Sequence, residues 1–471
     1  MTLVGVDRLA APPRDEDGRV DLDRLADRLG PATIVLESSP GTPHALRWSF
    51  LALPSPYTLV DDGVTSRLHT AGRTQALGTD PFAAVDEVCD RLGLHPDAAP
   101  MPDDEPPFTG GLVGAFSYDL GRRIERLPEE AAHDRRHPAL HLSAVTTTIA
   151  VDHVTEDAWL IHRSLPGVSD VAPDEIRSRL GTADGQPDPP DEPPPRTVTS
   201  SLDRRSYEAA VEAVLEHIAA GDVFQVNLSQ RLSTPWTLGT RALYRRLRGA
   251  SPAPHAALLP AIGVASISPE SFLLATGRHV RTRPMKGTRP RHTARDEDVA
   301  AAEELAASAK DRAENVMVVD MQRNDLGRVC VEGTVTVPAL CEVEAHPTVW
   351  QLVSTVSGRL SNGVGWGGLL RATLPCGSVT GAPKVAAMRL IEHHEPVRRG
   401  WYCGAVGWLG PGTLRLSVAI RTAVVTEGTA EYGCGGGIVA DSDPDAEYEE
   451  AVTKAGAFLE AVNGTLDGAA A

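Results

Sequence analysis

Two pairs of carboxylates stand at a spacing that could hold a metal ion. Asp311 and Glu314 lie three residues apart in a stretch with helical periodicity, and Glu447 and Glu450 repeat the interval near the C-terminal end. Side chains three apart on a helix leave the same face one turn apart, so two such helices could present four carboxylates to one point. Magnesium suits such a set, since it takes one or two carboxylates, keeps several waters and completes its shell from the substrate. The same spacing also describes a solvated acidic face. Asp443, Asp445 and Glu447 complement the positive end of a helix dipole, whereas Glu450 lies beyond that first turn. Cys89, Cys330, Cys341, Cys376, Cys403 and Cys434 form no CxxC pair or Cys/His cluster, so buried free thiols are expected and a zinc site is not.

A second kind of chemistry is suggested by small residues. In Pro375–Lys384, PCGSVTGAPK, glycines and prolines lead into a helix whose first turn holds Pro383 and Lys384. Free N–H groups at such a start attract an anion, and Ser378 and Thr380 can add hydroxyl donors, so a carboxylate ligand would fit. The spacing is not that of a nucleotide P-loop, and a plain Gly/Pro helix start reads the same way. Gly435, Gly436 and Gly437 mark either a bulge or a place where a ligand touches main chain.

The elements that must carry these residues are legible in part. Val211, Val214, Leu215 and Ile218 recur at helical spacing, with Gly221 placed as a C-terminal cap. A second helix is expected from about Ala300 to Val319, with an apolar stripe of Ala302, Leu305, Ala306, Ala309, Ala313 and Met317. A third begins near Pro444 and buries Ala451, Ala455, Phe458, Leu459 and Val462. Strand-like stretches include 145–154, 158–162, 263–268, 414–425 and 432–440. The Pro-rich run divides the chain into an N-terminal region 1–181, a linker or surface excursion 182–197 and a region 198–466 that holds the candidate residues.

Composition narrows the class. A chain of 471 residues with 42% hydrophobic content can build large cores, and a net charge of −18 argues against a polyanion-binding surface. No signal peptide and no run of 18 apolar residues is evident. A soluble, cytoplasmic protein without nucleic-acid or membrane partners is expected.

Taken in order, GDVFQVNLSQR at 221–231, SPESF at 268–272, PMKGTRPR at 284–291, KDRAENVMVVDMQRNDLGRV at 310–329, PCGSVTGAPK, WYCGAVGWL at 401–409, SVAIRTAV at 417–424 and GGGIVADSDPDAEYEEAVTKA at 435–455 make the region Ser201–Leu459 resemble the chorismate-utilising enzymes. The stretches IVLESS at 34–39 and FTGGLVGAFSYD at 108–119 are similar to the N-terminal part of the amidating members. The resemblance implies an α+β fold with two large twisted antiparallel sheets packed face to face, helices outside and the active site between them. The two sequence regions could then form one body. It further implies Glu314 and Glu450 as Mg2+ ligands supported by Asp311 and Glu447, and Tyr402, Arg421, Gly287, Thr288 and Gly435–Gly437 as positions that bind chorismate. Arg421 supplies a planar two-donor fork suited to a carboxylate.

Three positions sort the family by product. Glu270, in SPESF, matches the general acid that helps the ring 4-hydroxyl leave. Lys286, in PMKGT, stands where aminodeoxychorismate-forming members carry lysine and producers of anthranilate or isochorismate carry alanine. An amine there can attack ring carbon 2; otherwise it is the partner of a surface salt bridge. Gln225 replaces the lysine base of water-using members and points to ammonia as nucleophile. The resemblance thus implies conversion of chorismate and ammonia to 4-amino-4-deoxychorismate, on the way to 4-aminobenzoate and folate. No glutaminase motif is seen, so a separate glutamine amidotransferase is the implied partner. Anthranilate formation is the enzymatic alternative, and a catalytically silent chorismate- or amidotransferase-binding subunit is the alternative of another class. Gln351 replaces a common histidine. Pro254 and His255, with Ser38, fall where relatives bind tryptophan, and His255 replaces the usual aromatic residue.

Overall fold

The computed structural model describes residues 2–9, 12–38, 47–101, 105–164, 173–181, 193–346 and 349–467. Most of the Pro-rich run, 182–192, lies outside them. Two long β-branched and aromatic strands, Trp48–Asp61 and Leu140–Asp152, pair antiparallel over most of their length. From this pair the hydrogen-bonded ladder runs in two directions. One arm passes from Leu140–Asp152 to Gly111–Phe116, Ala405–Gly410, Thr413–Val418, Ser271–Thr276, His279–Thr282 and Val349–Arg359. The other passes from Trp48–Asp61 through Ile34–Glu37, His255–Leu259, Val264–Ser268, Thr422–Thr426 and Thr429–Ile438 to Gln225–Pro235. Each arm therefore begins with strands from before the Pro-rich run and continues with strands from after it, so both sequence regions share one ladder.

Sheets of this width coil rather than stay flat, and the arms fold over each other. Phe50, Ala257, Val264 and Val424 of one arm meet Val113, Val406 and Trp408 of the other in a buried cluster. The expected pair of face-to-face antiparallel sheets is thus two arms of one continuous ladder. Helices cover the outside. Arg204–Ala220, closed by Gly221 in the left-handed conformation (φ 83°), lies against Pro444–Lys454, where Tyr207 and Tyr448 meet edge to face at 5.8 Å. Beyond it Phe458 stacks on Tyr432 at 4.8 Å. Full burial of such a ring contributes roughly 1.5–3 kcal/mol.

Three elements differ from expectation. The helix expected over 300–319 is two helices, Arg295–Ala307 and Ala309–Gly327, because the Ser308 side chain accepts from the Asp311 N–H and starts the second. Ala306, Ala309 and Ala313 are exposed, and the second helix buries Asn315, Val318, Val319, Gln322, Asp325 and Leu326. A buried polar group is tolerated when it is bonded: Asn315 Nδ2 donates to the Leu352 carbonyl at 3.1 Å, and Asp325 pairs with Lys384 at 2.6 Å. The last helix breaks at Ala455 into Pro444–Lys454 and Gly456–Val462; it buries Ala451, Phe458 and Val462, with Leu459 half-buried. The stretch 414–425 is two strands, parted around Arg421, which adopts φ 51°. Among the described residues no helix is long and apolar enough to cross a membrane, and all six cysteines are buried and unpaired.

Candidate active site

Where the ends of both arms meet the helices Ala309–Gly327 and Pro444–Lys454, a cavity of about 670 Å³ opens. Glu270, Lys286, Gly287, Thr288, Asp311, Glu314, Gln351, Ser378, Tyr402, Arg421, Gly435, Gly437, Glu447 and Glu450 all line it. Residues more than 170 positions apart in sequence are thus brought together by the strand order.

Glu270 sits between Val264–Ser268 and Ser271–Thr276, where the Ser268 hydroxyl accepts from its N–H at 3.2 Å. Only 4% of it is exposed, and its Oε1 has no hydrogen-bond partner in the protein. Burial pushes its carboxyl up to about 7 against the opposing pull of the Ser378 hydroxyl and the Lys286 charge. It can therefore hold a proton at neutral pH, as a general acid must.

Lys286 lies on Met285–Pro290, whose register against Val349–Arg359 shifts between Lys286 and Thr288. Gly287 at the shift has φ 79°, and a Cβ there would lie 2.9 Å from the Asp311 side chain. Among the described residues the Lys286 amine makes no ion pair, so it is not the partner of a surface salt bridge. A Cβ built on Gly437 would lie 3.1 Å from Lys286 Nζ and 2.2 Å from Gln225 Nε2. The bare backbone there lets both side chains approach, and so places Gln225, 2% exposed and behind the cavity wall, beside the lysine. Gly433 serves Tyr402 likewise, whose ring carbons would lie 2.3 Å from an added Cβ.

The carboxylates stand as the spacing implied, on facing helices. Burial raises the Glu314 carboxyl despite the Lys286 and Lys310 charges, and the negative charges of Asp311 and Glu447 raise it further. Burial likewise raises Glu447, opposed by the Ser442 hydroxyl, which donates to its Oε1 at 2.6 Å, and reinforced by Glu450. Mutual repulsion of this kind is what a divalent cation relieves. Asp311 receives Arg289 at 3.1 Å, and Glu450, its side chain 56% exposed, receives Lys454 at 2.6 Å. Partial burial would raise the Glu450 carboxyl, but the Lys454 charge and hydrogen bond outweigh it and hold it below the usual range. Among the described residues no three acidic, histidine or cysteine side chains form a ready metal cage. The donors present instead fit an ion that keeps waters and takes oxygens from its substrate.

Two residues of the expected anion cradle turn elsewhere. Thr380, fully buried, donates to the Cys376 and Gly377 carbonyls at 3.2 and 3.1 Å, and Lys384 is taken by Asp325 and the Thr373 carbonyl. They brace the turn that presents Ser378. Gly436 faces the acidic helix, 2.9 Å from Glu447 Oε2 at its Cβ position. Polar lining residues not anticipated include Asn227, Arg289, Lys310 and Lys454. Lys454 could have been found, since it stands four residues after Glu450 on one helix face, and Asn227 stands two after Gln225 on one strand face. Ser38, Pro254 and His255 do share a pocket, between the arms, beside Trp48, Phe50 and Trp408; its volume is about 50 Å³.

The model of the family described as chorismate binding enzyme matches residues 55–460. Aminodeoxychorismate synthase component 1 of Salmonella typhimurium is 37% identical over 91% of this chain and 92% of its own length. Anthranilate synthase component 1 of Thermus thermophilus is 42% identical over 81% and 82%. The crystal structure of anthranilate synthase component I from Streptococcus pneumoniae TIGR4 superimposes with a TM-score of 0.71 at 30% identity, covering 89% of this chain and 92% of that one. With the cavity above built from the matched region, the chain belongs to the chorismate binding enzyme family.

Proposed function

We propose that the protein is the synthase component of an aminodeoxychorismate synthase, which converts chorismate and ammonia to 4-amino-4-deoxychorismate for 4-aminobenzoate and folate formation. The observation that carries this reading is Lys286: a primary amine without an ion-pair partner among the described residues, in one cavity with a carboxyl that holds its proton to about pH 7. Arg421, also free of an ion pair among the described residues, offers its fork to a substrate carboxylate. Glu270 gives its proton to the leaving 4-hydroxyl as the Lys286 amine bonds to ring carbon 2. The two ring double bonds shift toward carbon 4 as carbon 2 takes the amine and water leaves; ammonia then bonds to carbon 4, the double bonds shift back, and the C2–N bond breaks with its electron pair going to the lysine nitrogen. Glu314 and Glu450, with Asp311 and Glu447 behind them, would hold Mg2+, which when bound neutralises the ring carboxylate. The relatives are named as component 1, which supports a second component here, and a glutamine amidotransferase would supply the ammonia. The protein would work in the cytoplasm.

The relatives named anthranilate synthase favour a second reading, in which ammonia bonds to carbon 2 and Lys286 is a bystander. One experiment separates the two. Purified protein given chorismate, magnesium and an ammonium salt should release 4-amino-4-deoxychorismate and no anthranilate, and Glu314→Gln should lower turnover by about 100-fold or more. Release of anthranilate, or full turnover by Glu314→Gln without excess magnesium, overturns the assignment.

A further inference from the structure

Behind the wall of the catalytic cavity lies a buried ion pair that the reaction does not touch. Glu395, just past the helix Lys384–His394, and Arg399 have side chains 5% and 3% exposed, and neither lines the cavity. The pairing is bidentate: Arg399 Nε donates to Glu395 Oε2 at 2.8 Å and Nη2 to Oε1 at 2.5 Å. The Tyr118 ring covers the guanidinium at 4.6 Å. Removing two charges from water is costly, and apolar side chains of similar volume often serve stability as well or better. What the pair adds is its other hydrogen bonds, which go to two segments of the cavity wall.

One segment is the strand Gln225–Pro235. Arg399 Nη2 donates to the Asn227 carbonyl at 2.6 Å, and Glu395 Oε1 accepts from the N–H and the hydroxyl of Ser229, each at 2.8 Å. The other is the turn Gly377–Val379, where Arg399 Nη1 donates to the Val379 carbonyl at 2.8 Å. Strand and turn also meet directly, the Asn227 N–H donating to the Thr380 carbonyl at 2.8 Å. Asn227, Ser378 and Val379 all line the cavity. The guanidinium thus grips two carbonyls of the wall from behind, which a planar fork of fixed donors can do and a lysine cannot. The neighbour of Val379 is what this grip controls. Burial raises the Glu270 carboxyl, and the Ser378 hydroxyl, hydrogen-bonded to it, pulls the other way. An alternative partner for that hydroxyl, Cys376 Sγ, lies 3.3 Å away.

We infer that the Arg399–Glu395 pair is a positioning element of the catalytic site, which holds the turn at Val379 so that the Ser378 hydroxyl stays on Glu270. This rests on the general-acid role given to Glu270 above. The other charged or titratable groups facing Glu270 are Lys286, from Met285–Pro290, and the thiols of Cys376 and Cys403, which burial pushes up to about 12 and so leaves neutral. Lys286 is carried by a different strand, so freeing the turn changes the Ser378 contact and leaves the lysine in place. A carboxylate that loses a hydrogen-bond donor binds its proton more tightly. The Glu270 carboxyl then rises above about 7, and the protonated acid persists to higher pH.

The test follows kcat/KM for chorismate against pH, with magnesium and free ammonia saturating and constant across the series. Arg399→Lys and Glu395→Asp each keep a charge on both sides of the pair but lose its reach to the two carbonyls. Both should move the alkaline limb up by about one pH unit, the order of one hydrogen bond to a charged group. Both should also lower kcat at least about fivefold while the chorismate KM stays within about threefold, since neither residue touches substrate. Ser378→Ala should move the limb by the same amount, and Arg399→Lys added to it should move it no further. Folded variants, as judged by circular dichroism, whose limbs stay at the wild-type pH overturn the role, as does a double variant whose shift is the sum of the two. Loss of fold in both Arg399→Lys and Glu395→Asp marks the pair as a folding element and overturns it as well. Release of anthranilate by the wild type overturns the amination reading but leaves a limb to follow, so the two failures are distinct.

Discussion

The catalytic cavity and the pocket between the arms are both hollows in one antiparallel ladder, yet they are built on opposite terms. The first, at about 670 Å³, keeps the half-buried Lys286 and Arg421 without ion-pair partners among the described residues, and Glu270 with an unbonded oxygen. The second, at about 50 Å³, is filled by Trp48, Phe50 and Trp408. An unpaired charge in a protein interior is costly, so a cavity that collects them must be offset by the surrounding core or by a ligand. Apolar filling carries no such cost. Function is thus to be sought where the fold leaves polar groups unsatisfied.

The largest expected effect comes from removing such a group. Lys286→Ala should lower formation of 4-amino-4-deoxychorismate by about 10²–10⁴-fold, the range lost with a group that acts on the reacting atoms. Wild type given chorismate without ammonia should carry an adduct on Lys286, visible by intact mass and peptide mapping. Turnover at the full rate by the variant would place the lysine among bystanders and erase the contrast between the two hollows. An intermediate effect should come from pH. Burial raises the Glu270 carboxyl from the ordinary range to about 7. On the proposed general-acid role of Glu270 the protonated form is the active one, so kcat/KM should be retained below that value and fall about tenfold per unit above it. Glu270→Gln should have low residual activity without this limb.

Much of the site was legible in sequence because its chemistry is local. Asp311 and Glu314, or Glu447 and Glu450, need only a helix to share a face, and Gly437 or Gly287 needs only a close approach. What the sequence hid was long-range. Thr380 and Lys384 look like anion ligands in their own segment, but the partner that claims Lys384, Asp325, lies 59 positions away. Hydrophobic periodicity misplaced the stripe of the second helix for the same reason: Asn315 and Asp325 are buried by bonds to distant groups, and apolarity cannot report that. Nor could spacing say that Gln225 lies beside Lys286 at Gly437 instead of on the cavity wall.

The smallest expected effect sharpens the comparison from the other side. Ser38, Pro254 and His255 gather where relatives were expected to bind tryptophan, so a purely sequence-based argument leaves an effector open. Volume decides against it, since an apolar cavity that takes up benzene measures about 150 Å³ and this pocket has about 50 Å³. An indole ring would have to displace Trp48 or Trp408, and each is at most 5% exposed in a close-packed cluster. Charge gives little help. Burial holds the His255 ring neutral, reinforced by the Arg415 and Arg283 charges, with its pKa down to about 3. The Arg415 guanidinium lies over the Trp408 ring at 5.9 Å. Tryptophan at millimolar concentration should therefore change ammonium-driven turnover by less than about twofold, within the scatter of a surface effect. Inhibition that saturates with tryptophan, and that disappears in a Ser38→Trp variant of unchanged basal rate, would show that the aromatic filling yields to a ligand and that the two hollows differ less than their packing indicates.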